Sequence, residues 1–160
     1  MRELIVIMGV AGSGKSSVAA ALADAAGWPF MEADEYHSAA NKQKMADGIP
    51  LTDEDRVGWV QGMAAGAAAM PEPRVVLACS ALTPFVQSGL MESGRACRFV
   101  LLDVPKEELA KRIAARADHF MPVSLLESQL AALTMPDGVI RVNGMDAISE
   151  IVAAIRAHLG

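Results

Sequence analysis

Apolar and polar residues fall along this chain in alternating blocks of two kinds. Short continuous apolar runs recur between longer stretches with apolar residues at helical spacing. Leu4-Ile5-Val6-Ile7-Met8 is the first such run, and it predicts a strand buried on both faces. An alanine-rich stretch over 17–26 predicts the helix that follows. A second strand is expected over 28–33, closing at Asp34, then a charge-mixed section with helices over 39–45 and 53–70. Pro71-Glu72-Pro73 breaks the chain ahead of a strand over 74–79 and a helix over 85–92. Further strands are expected over 98–103 and 138–142, with helices over 106–116, 123–133 and 147–159. Pro105 suits the first turn of the helix behind it. Strands alternating with helices mean a parallel sheet covered on both faces, in a single α/β domain over 1–160. No repeat, low-complexity tract or linker interrupts that order.

Between the first strand and the first helix lies Gly9-Val10-Ala11-Gly12-Ser13-Gly14-Lys15-Ser16, which matches G-x-x-x-x-G-K-[ST] at every fixed position. A phosphate-binding loop requires strand, glycine turn and helix in that order. Its glycines let successive N–H groups curl around a polyphosphate without Cβ clashes, and the helix N-terminus adds the positive end of its dipole. Lys15 is then expected at the β- and γ-phosphates of ATP, with the Ser16 hydroxyl on Mg²⁺. Gly9, Val10, Ala11, Gly12, Ser13, Gly14, Lys15, Ser16 and Ser17 together form the expected ATP site.

Composition narrows the partners. Of 160 residues, 14 are Lys or Arg and 19 are Asp or Glu, and the net charge of −5 speaks against nucleic acid or an anionic membrane surface. No apolar run reaches membrane-spanning length and no basic signal segment precedes the first strand, so the expected location is the cytoplasm. Cys79 and Cys97 are too few and too far apart for a disulfide framework or a zinc site. Cys79, at the end of a strand, reads as a small buried apolar residue.

Parallel sheets bind ligands beyond the carboxyl ends of their strands. That rule singles out the glycine loop, Asp34 after the second strand and Ser80 after the third, which are expected to converge on one cleft. There Asp34 can orient and deprotonate a substrate hydroxyl, or hold the water shell of Mg²⁺; a helix cap or a solvated acid is the plainer alternative. His37 can hydrogen-bond a polyol hydroxyl or serve a structural purpose. Thr52 and Asp55 have the spacing of a helix cap, which leaves Arg56 unexplained; its planar fork suits a carboxylate or phosphate. Arg112 and Arg116 lie four apart and share a helix face, either solvated or closing as a lid over the transferring phosphoryl group.

Taken in order, these blocks resemble the short gluconokinase family, related in fold to shikimate and adenylate kinases. The likeness begins with the loop from Met8 to Ser16 and continues through Asp34, His37, Asn41, Lys44-Met45 and Gly48. Pro50-Leu51-Thr52-Asp53-Glu54-Asp55-Arg56 resembles the family's P-L-x-D-x-D-R block, with Trp59 at the expected spacing. Cys79-Ser80-Ala81-Leu82, Arg112, Arg116, His119-Phe120-Met121 and Leu125-Leu126-x-Ser128-Gln129 complete it. The resemblance implies a P-loop NTPase fold with three layers α/β/α, a five-stranded parallel sheet and a helical lid near 112–124, like a nucleoside-monophosphate kinase. It also implies ATP-dependent phosphorylation of the sugar acid D-gluconate to 6-phospho-D-gluconate with Mg²⁺, and a homodimer. Carried over by position, Lys15, Asp34 and Arg56 form the catalytic set, while Asp34, His37, Arg56, Ser80 and His119 hold the sugar acid. Arg112 and Arg116 become lid residues near the nucleotide, and Ser16, with Asp34 through water, holds Mg²⁺.

Two departures bear on the acceptor. After the Cys79-Ser80-Ala81-Leu82 block the family usually continues with basic residues and a tyrosine-arginine pair, whereas Thr83-Pro84-Phe85-Val86-Gln87-Ser88 holds no cation. Asp118 stands where glycine is usual. The ATP half is intact and the acceptor half is altered. Two other readings therefore stay open: a kinase of a related sugar acid or polyol, and a nucleotide-binding protein that has lost transfer. Retention of Asp34 speaks against the latter.

Overall fold

A computed structural model describes residues 2–115 and 124–160. The apolar run near the N-terminus forms β1 (Glu3–Met8), buried along its whole length. There follow α1 (Lys15–Ala26), β2 (Phe30–Glu32), a 3-10 turn over Ala33–Tyr36, α2 (Ala39–Ala46) and α3 (Asp53–Ala69). Next come β3 (Arg74–Ala78), α4 (Pro84–Met91), β4 (Ala96–Asp103) and α5 (Lys106–Ala115). The chain ends with α6 (Ser124–Ala132), β5 (Ile140–Asn143) and α7 (Ile148–Leu159). All five strands are parallel, in the order β2-β3-β1-β4-β5.

Alternation along the strands sends successive side chains to opposite layers. Leu4, Val6 and Met8 pack with Trp59, Val60 and Met63 of α3 and with Val86 and Leu90 of α4. Ile5 and Ile7 pack with Val18 and Leu22 of α1 and Ile151 and Ile155 of α7. Two buried faces explain why the strands read as continuous apolar runs. A third cluster joins Val10 and Ala11 of the glycine loop to Leu82, to Leu109 and Ile113 of α5, and to Leu126 of α6, so the loop itself has a hydrophobic seat. The expected α/β class and five-stranded parallel sheet are what the chain adopts.

Element boundaries differ from the expectation where hydrogen bonds decide them. Gly27, at φ 74°, ends α1, and the Trp28 N–H returns to the Ala23 carbonyl at 2.9 Å. Trp28 is thereby kept out of the sheet, and β2 is shorter than the expected 28–33. Ala33 leaves it for the 3-10 turn. At α4, Thr83 Oγ1 accepts the Val86 N–H at 3.4 Å, and the helix starts at Pro84. β5 begins at Ile140 because the Val139 N–H turns back to the Pro136 carbonyl at 3.3 Å. Of the expected lid, 116–123 lies outside the described residues.

The edge opposite the glycine loop is tied together by charge. Arg95, 2% exposed, donates to the carbonyls of Glu3, Ala67, Met70 and Pro73. Glu3 pairs with Arg74 at 2.8 Å and Arg98 at 3.2 Å. Burial alone would raise its pKa, but hydrogen bonds from both arginines outweigh that and hold it below the ordinary value.

The contact of α4 with α3 gives a direct test of this packing. A Cβ added at Gly89 would overlap Val60 Cγ1, and Val60 is buried and stiff at χ1. Gly89→Ala is expected to cost about 1–3 kcal/mol through overpacking, despite alanine's better helix propensity. Denaturant unfolding that shows unchanged or increased stability contradicts this arrangement.

Candidate active site

The glycine loop is shaped for a polyphosphate. Gly14, at φ 89°, is the N-cap of α1 and contributes no side-chain cap, and the first turn of that helix carries no acid. By contrast, α3 starts with a Thr52–Asp55 capping box and three acids in its first turn. The start of α1 thus carries neither a side-chain cap nor an acid to compete with an anion from outside the chain. A Cβ at Gly9 would lie 2.6 Å from Ser13 Oγ, so the loop closes this tightly only with glycine there. Among the described residues, Ser13 Oγ is the buried side-chain atom with no hydrogen-bond partner.

A cleft of about 250 Å³ opens beside the loop at the carboxyl ends of the strands. Ala11 and Lys15 line it from the loop, Glu32, Asp34 and His37 from the end of β2, and Arg56 and Trp59 from α3. Ser80, Leu82, Thr83 and Val86 line it from behind β3, and Leu125, Ser128 and Gln129 from α6. Lys15, Asp34, His37 and Ser80, which the strand-end rule singles out, share one cavity with Arg56 of α3. Arg112 takes another position. Its Nη1 donates to the Gly12 and Ser13 carbonyls at 3.1 and 3.5 Å, and its Nε pairs with Glu108 at 2.9 Å. It braces the loop from the carbonyl side. Arg116 and His119 lie outside the described residues.

Asp34 sits in the 3-10 turn, where its carbonyl accepts the His37 N–H at 3.4 Å. Arg56 Nη1 pairs with Asp53 Oδ1 at 3.3 Å, but Asp53 is 62% exposed, so this surface pair is weak and leaves the fork open to a better anion. Among the described residues, the cations lining the cleft are Lys15 and Arg56. The segment behind β3 gives it Thr83 and Val86 instead of a cation. Gln87 turns inward and donates to the carbonyls of Ala81 and Thr134 at 3.0 and 2.8 Å.

His37 stacks on Trp59 with ring centroids 4.2 Å apart and planes 12° apart. Trp59 is itself held by its Nε1–H, which donates to the Ala33 carbonyl at 2.9 Å. Burial lowers the His37 pKa to about 4; Asp34 opposes the shift, and Arg56 and Lys42 add to it. The Cys79 thiol is fully buried and pushed up to about 12, which matches its reading as an inert apolar residue. One contact has no signal in the sequence: Gln129 Oε1 accepts the Ala11 N–H at 2.7 Å, joining α6 to the glycine loop across 118 residues. Among the described residues no cluster of three or more His, Cys, Asp or Glu could hold a metal ion by itself, and no helix is long and apolar enough to cross a membrane.

Known proteins share this sequence pattern and this fold. The AAA-domain family model matches residues 4–136. A gluconokinase of Gluconobacter oxydans (strain 621H) is 43% identical over 153 residues, covering 89% of this chain and 83% of that protein. The crystal structure of a gluconokinase from Sinorhizobium meliloti 1021 superposes with a TM-score of 0.86 at 42% identity, covering 99% of this chain and 93% of that one. Shikimate kinase from Aquifex aeolicus superposes with a TM-score of 0.65 at 21% identity, covering 98% and 95% of the two chains, and so shares the fold.

The depressed His37 pKa makes the site acid-sensitive. An unfolded chain binds a proton at His37 as the pH falls through 6.5, whereas the folded chain does so only near 4. Stability is therefore lost between those values as the pH falls. Denaturant midpoints at pH 7 and pH 4.5 check this for wild type and His37→Asn. Any stability advantage of wild type is expected to shrink at the lower pH, and an unchanged difference means that His37 titrates normally.

Proposed function

The chain belongs to the gluconokinase family of P-loop kinases, and from that we propose that it transfers the γ-phosphoryl group of ATP to the 6-hydroxyl of D-gluconate. The observation that carries this reading is the meeting of Lys15, Asp34 and Arg56, from three separate elements, in one cleft. Gluconate has an anionic end and a distal primary alcohol, which are the two groups a guanidinium and a carboxylate can recognise. Lys15 stabilises charge on the transferring phosphoryl group. Asp34 orients the alcohol and takes its proton as the new O–P bond forms and the bond to the β-phosphate bridging oxygen breaks. Arg56 grips the sugar-acid carboxylate with its planar fork. No covalent intermediate is needed, because transfer depends on positioning and charge stabilisation.

Mg²⁺ fits the donor set, since it needs only one or two protein oxygens beside phosphates and water. The Ser16 hydroxyl and, through water, Asp34 would hold it, and when bound it neutralises charge on the phosphates. A homodimer and a cytoplasmic location belong to the same proposal. Arg112 and Arg116 are assigned to the nucleotide side, and Ser80 and His119 to the sugar acid. The cation-free wall of Thr83 and Val86 favours one variation, a related sugar acid or polyol bound through fewer charges.

Three substitutions test the assignment. Lys15→Ala is expected to lower turnover by about a hundredfold or more. Asp34→Asn keeps the size and removes the charge, with an expected loss of about a hundredfold in kcat and little change in the ATP KM. Arg56→Lys keeps the charge and loses the fork, so the gluconate KM is expected to rise about tenfold with the ATP KM unmoved. Steady-state kinetics in both substrates decide each case. Lys15→Ala within about tenfold of wild type removes the loop from the reaction centre. Unchanged kcat in Asp34→Asn moves the base elsewhere, and a gluconate KM indifferent to Arg56→Lys frees the carboxylate from Arg56.

A further inference from the structure

Asn41 is 6% exposed and lies one helical turn beyond His37. Its Nδ2 is 2.8 Å from the main-chain carbonyl of Asp55 and 3.4 Å from His37 Nδ1. A carbonyl can only accept, so the Asp55 oxygen fixes the amide with its NH₂ on that side. The carbonyl is firmly held. Asp55 closes the cap of α3 by exchanging hydrogen bonds with Thr52 at 3.0 and 3.2 Å, and it pairs with Lys44 at 2.8 Å.

The NH₂ group has one hydrogen for each of its two neighbours and no lone pair to offer them. A proton on His37 Nδ1 would set donor against donor. An unprotonated Nδ1 accepts the second hydrogen, and a neutral imidazole then carries its proton on Nε2. The surroundings keep the ring neutral. Stacking on Trp59 shields one face of it from water, Lys42 of α2 and Arg56 of α3 oppose a positive charge, and Asp34 alone among the charged groups acting on it favours one. With Nδ1 occupied, Nε2 is the nitrogen left to meet a ligand in the cleft that His37 lines.

We propose that Asn41 is a positioning residue that locks His37 in its Nε2–H tautomer, so that His37 acts as a fixed, neutral donor to a hydroxyl oxygen of the bound sugar acid. The ligand's identity rests on the gluconate reading above; the tautomer does not. A neutral donor bonds a hydroxyl oxygen without adding a third cation to Lys15 and Arg56, which assigns His37 to the polyol stretch and leaves the carboxylate to Arg56. With Nδ1 taken by Asn41 and the proton on Nε2, the ring presents a donor and no lone pair to the cleft, which leaves the base function with Asp34.

Long-range ¹H–¹⁵N correlation spectra of histidine-labelled protein read the tautomer directly, with His37→Gln identifying the signal. The expected wild-type spectrum shows the Nε2–H form from pH 8 to pH 5, and gluconate shifts the Nε2 resonance. Asn41→Asp presents an acceptor to Nδ1 and is expected to move the proton there, raising the gluconate KM about tenfold or more while the ATP KM stays within about threefold. Asn41→Ala is expected to give a mixture of tautomers with an intermediate KM, and it carries the comparison if Asn41→Asp melts below the assay temperature. An Nδ1–H wild-type ring, or a tautomer that neither substitution alters, overturns the lock. An Nε2 resonance unmoved by gluconate in an enzyme that phosphorylates it overturns the donor role. Wild type that leaves gluconate unphosphorylated while keeping the Nε2–H form supports the lock and overturns only the acceptor assigned above.

Discussion

Parallel pairing of β1 with β3 on one side and β4 on the other is the constraint on which the rest of the molecule depends. A strand bonded along both edges and buried on both faces cannot shift register without turning its whole apolar set. The glycine loop therefore leaves the middle of the sheet, not its margin. The strand order then sets β3 and β2 beside it, so Ser80 and Asp34 arrive at the same edge from successive strands. At the opposite edge, Arg95 and the Glu3 cluster satisfy the carbonyls and charges where the strands begin. One end of the sheet is closed by hydrogen bonds, and the other is left for ligands.

Electrostatics in the cleft are local. The chain has a net charge of −5, yet the described cations of the cleft, Lys15 and Arg56, stand where two anionic groups of different substrates would lie. Beside the carboxylates of Glu32 and Asp34, the rest of the wall is uncharged: a Trp59–His37 stack, Thr83, Val86 and Leu125. Under the proposed function, such a wall would position a polyol through shape and neutral hydrogen bonds. The segment behind β3 adds no cation to the cleft, so under the proposed function the acceptor is held with fewer charges while Lys15 and Asp34 are untouched.

What was legible in the sequence was what local chemistry decides. β1, β3 and β4 are apolar runs long enough to announce themselves, and the glycine loop is a backbone motif whose residues are contiguous. Asp34 and Ser80 followed from knowing where strands end. β2 was harder, since its start depends on the left-handed Gly27 and on Trp28 folding back to Ala23. Contacts between distant elements were not legible. Gln129 reaching Ala11, Arg112 bracing the loop from its carbonyl side, and Asn41 dividing its amide between Asp55 and His37 depend on helix packing angles that no spacing encodes. The α3 cap shows both sides. Thr52 and Asp55 were readable as a cap, but the use of the Asp55 carbonyl to orient Asn41 was not.

The proposed function requires a cleft that reads a carboxylate at one end of a polyol and phosphorylates the other. The most direct measurement compares gluconate with glucitol, the same carbon chain with the carboxylate replaced by a hydroxymethyl group, under ATP-saturating conditions with the product identified by NMR. A fork-to-carboxylate contact of about 1.5–3 kcal/mol predicts a preference for gluconate of roughly ten- to a hundredfold in kcat/KM. The product is expected to be 6-phosphogluconate. Equal use of the two substrates, a preference for glucitol, or phosphorylation at another hydroxyl would contradict it.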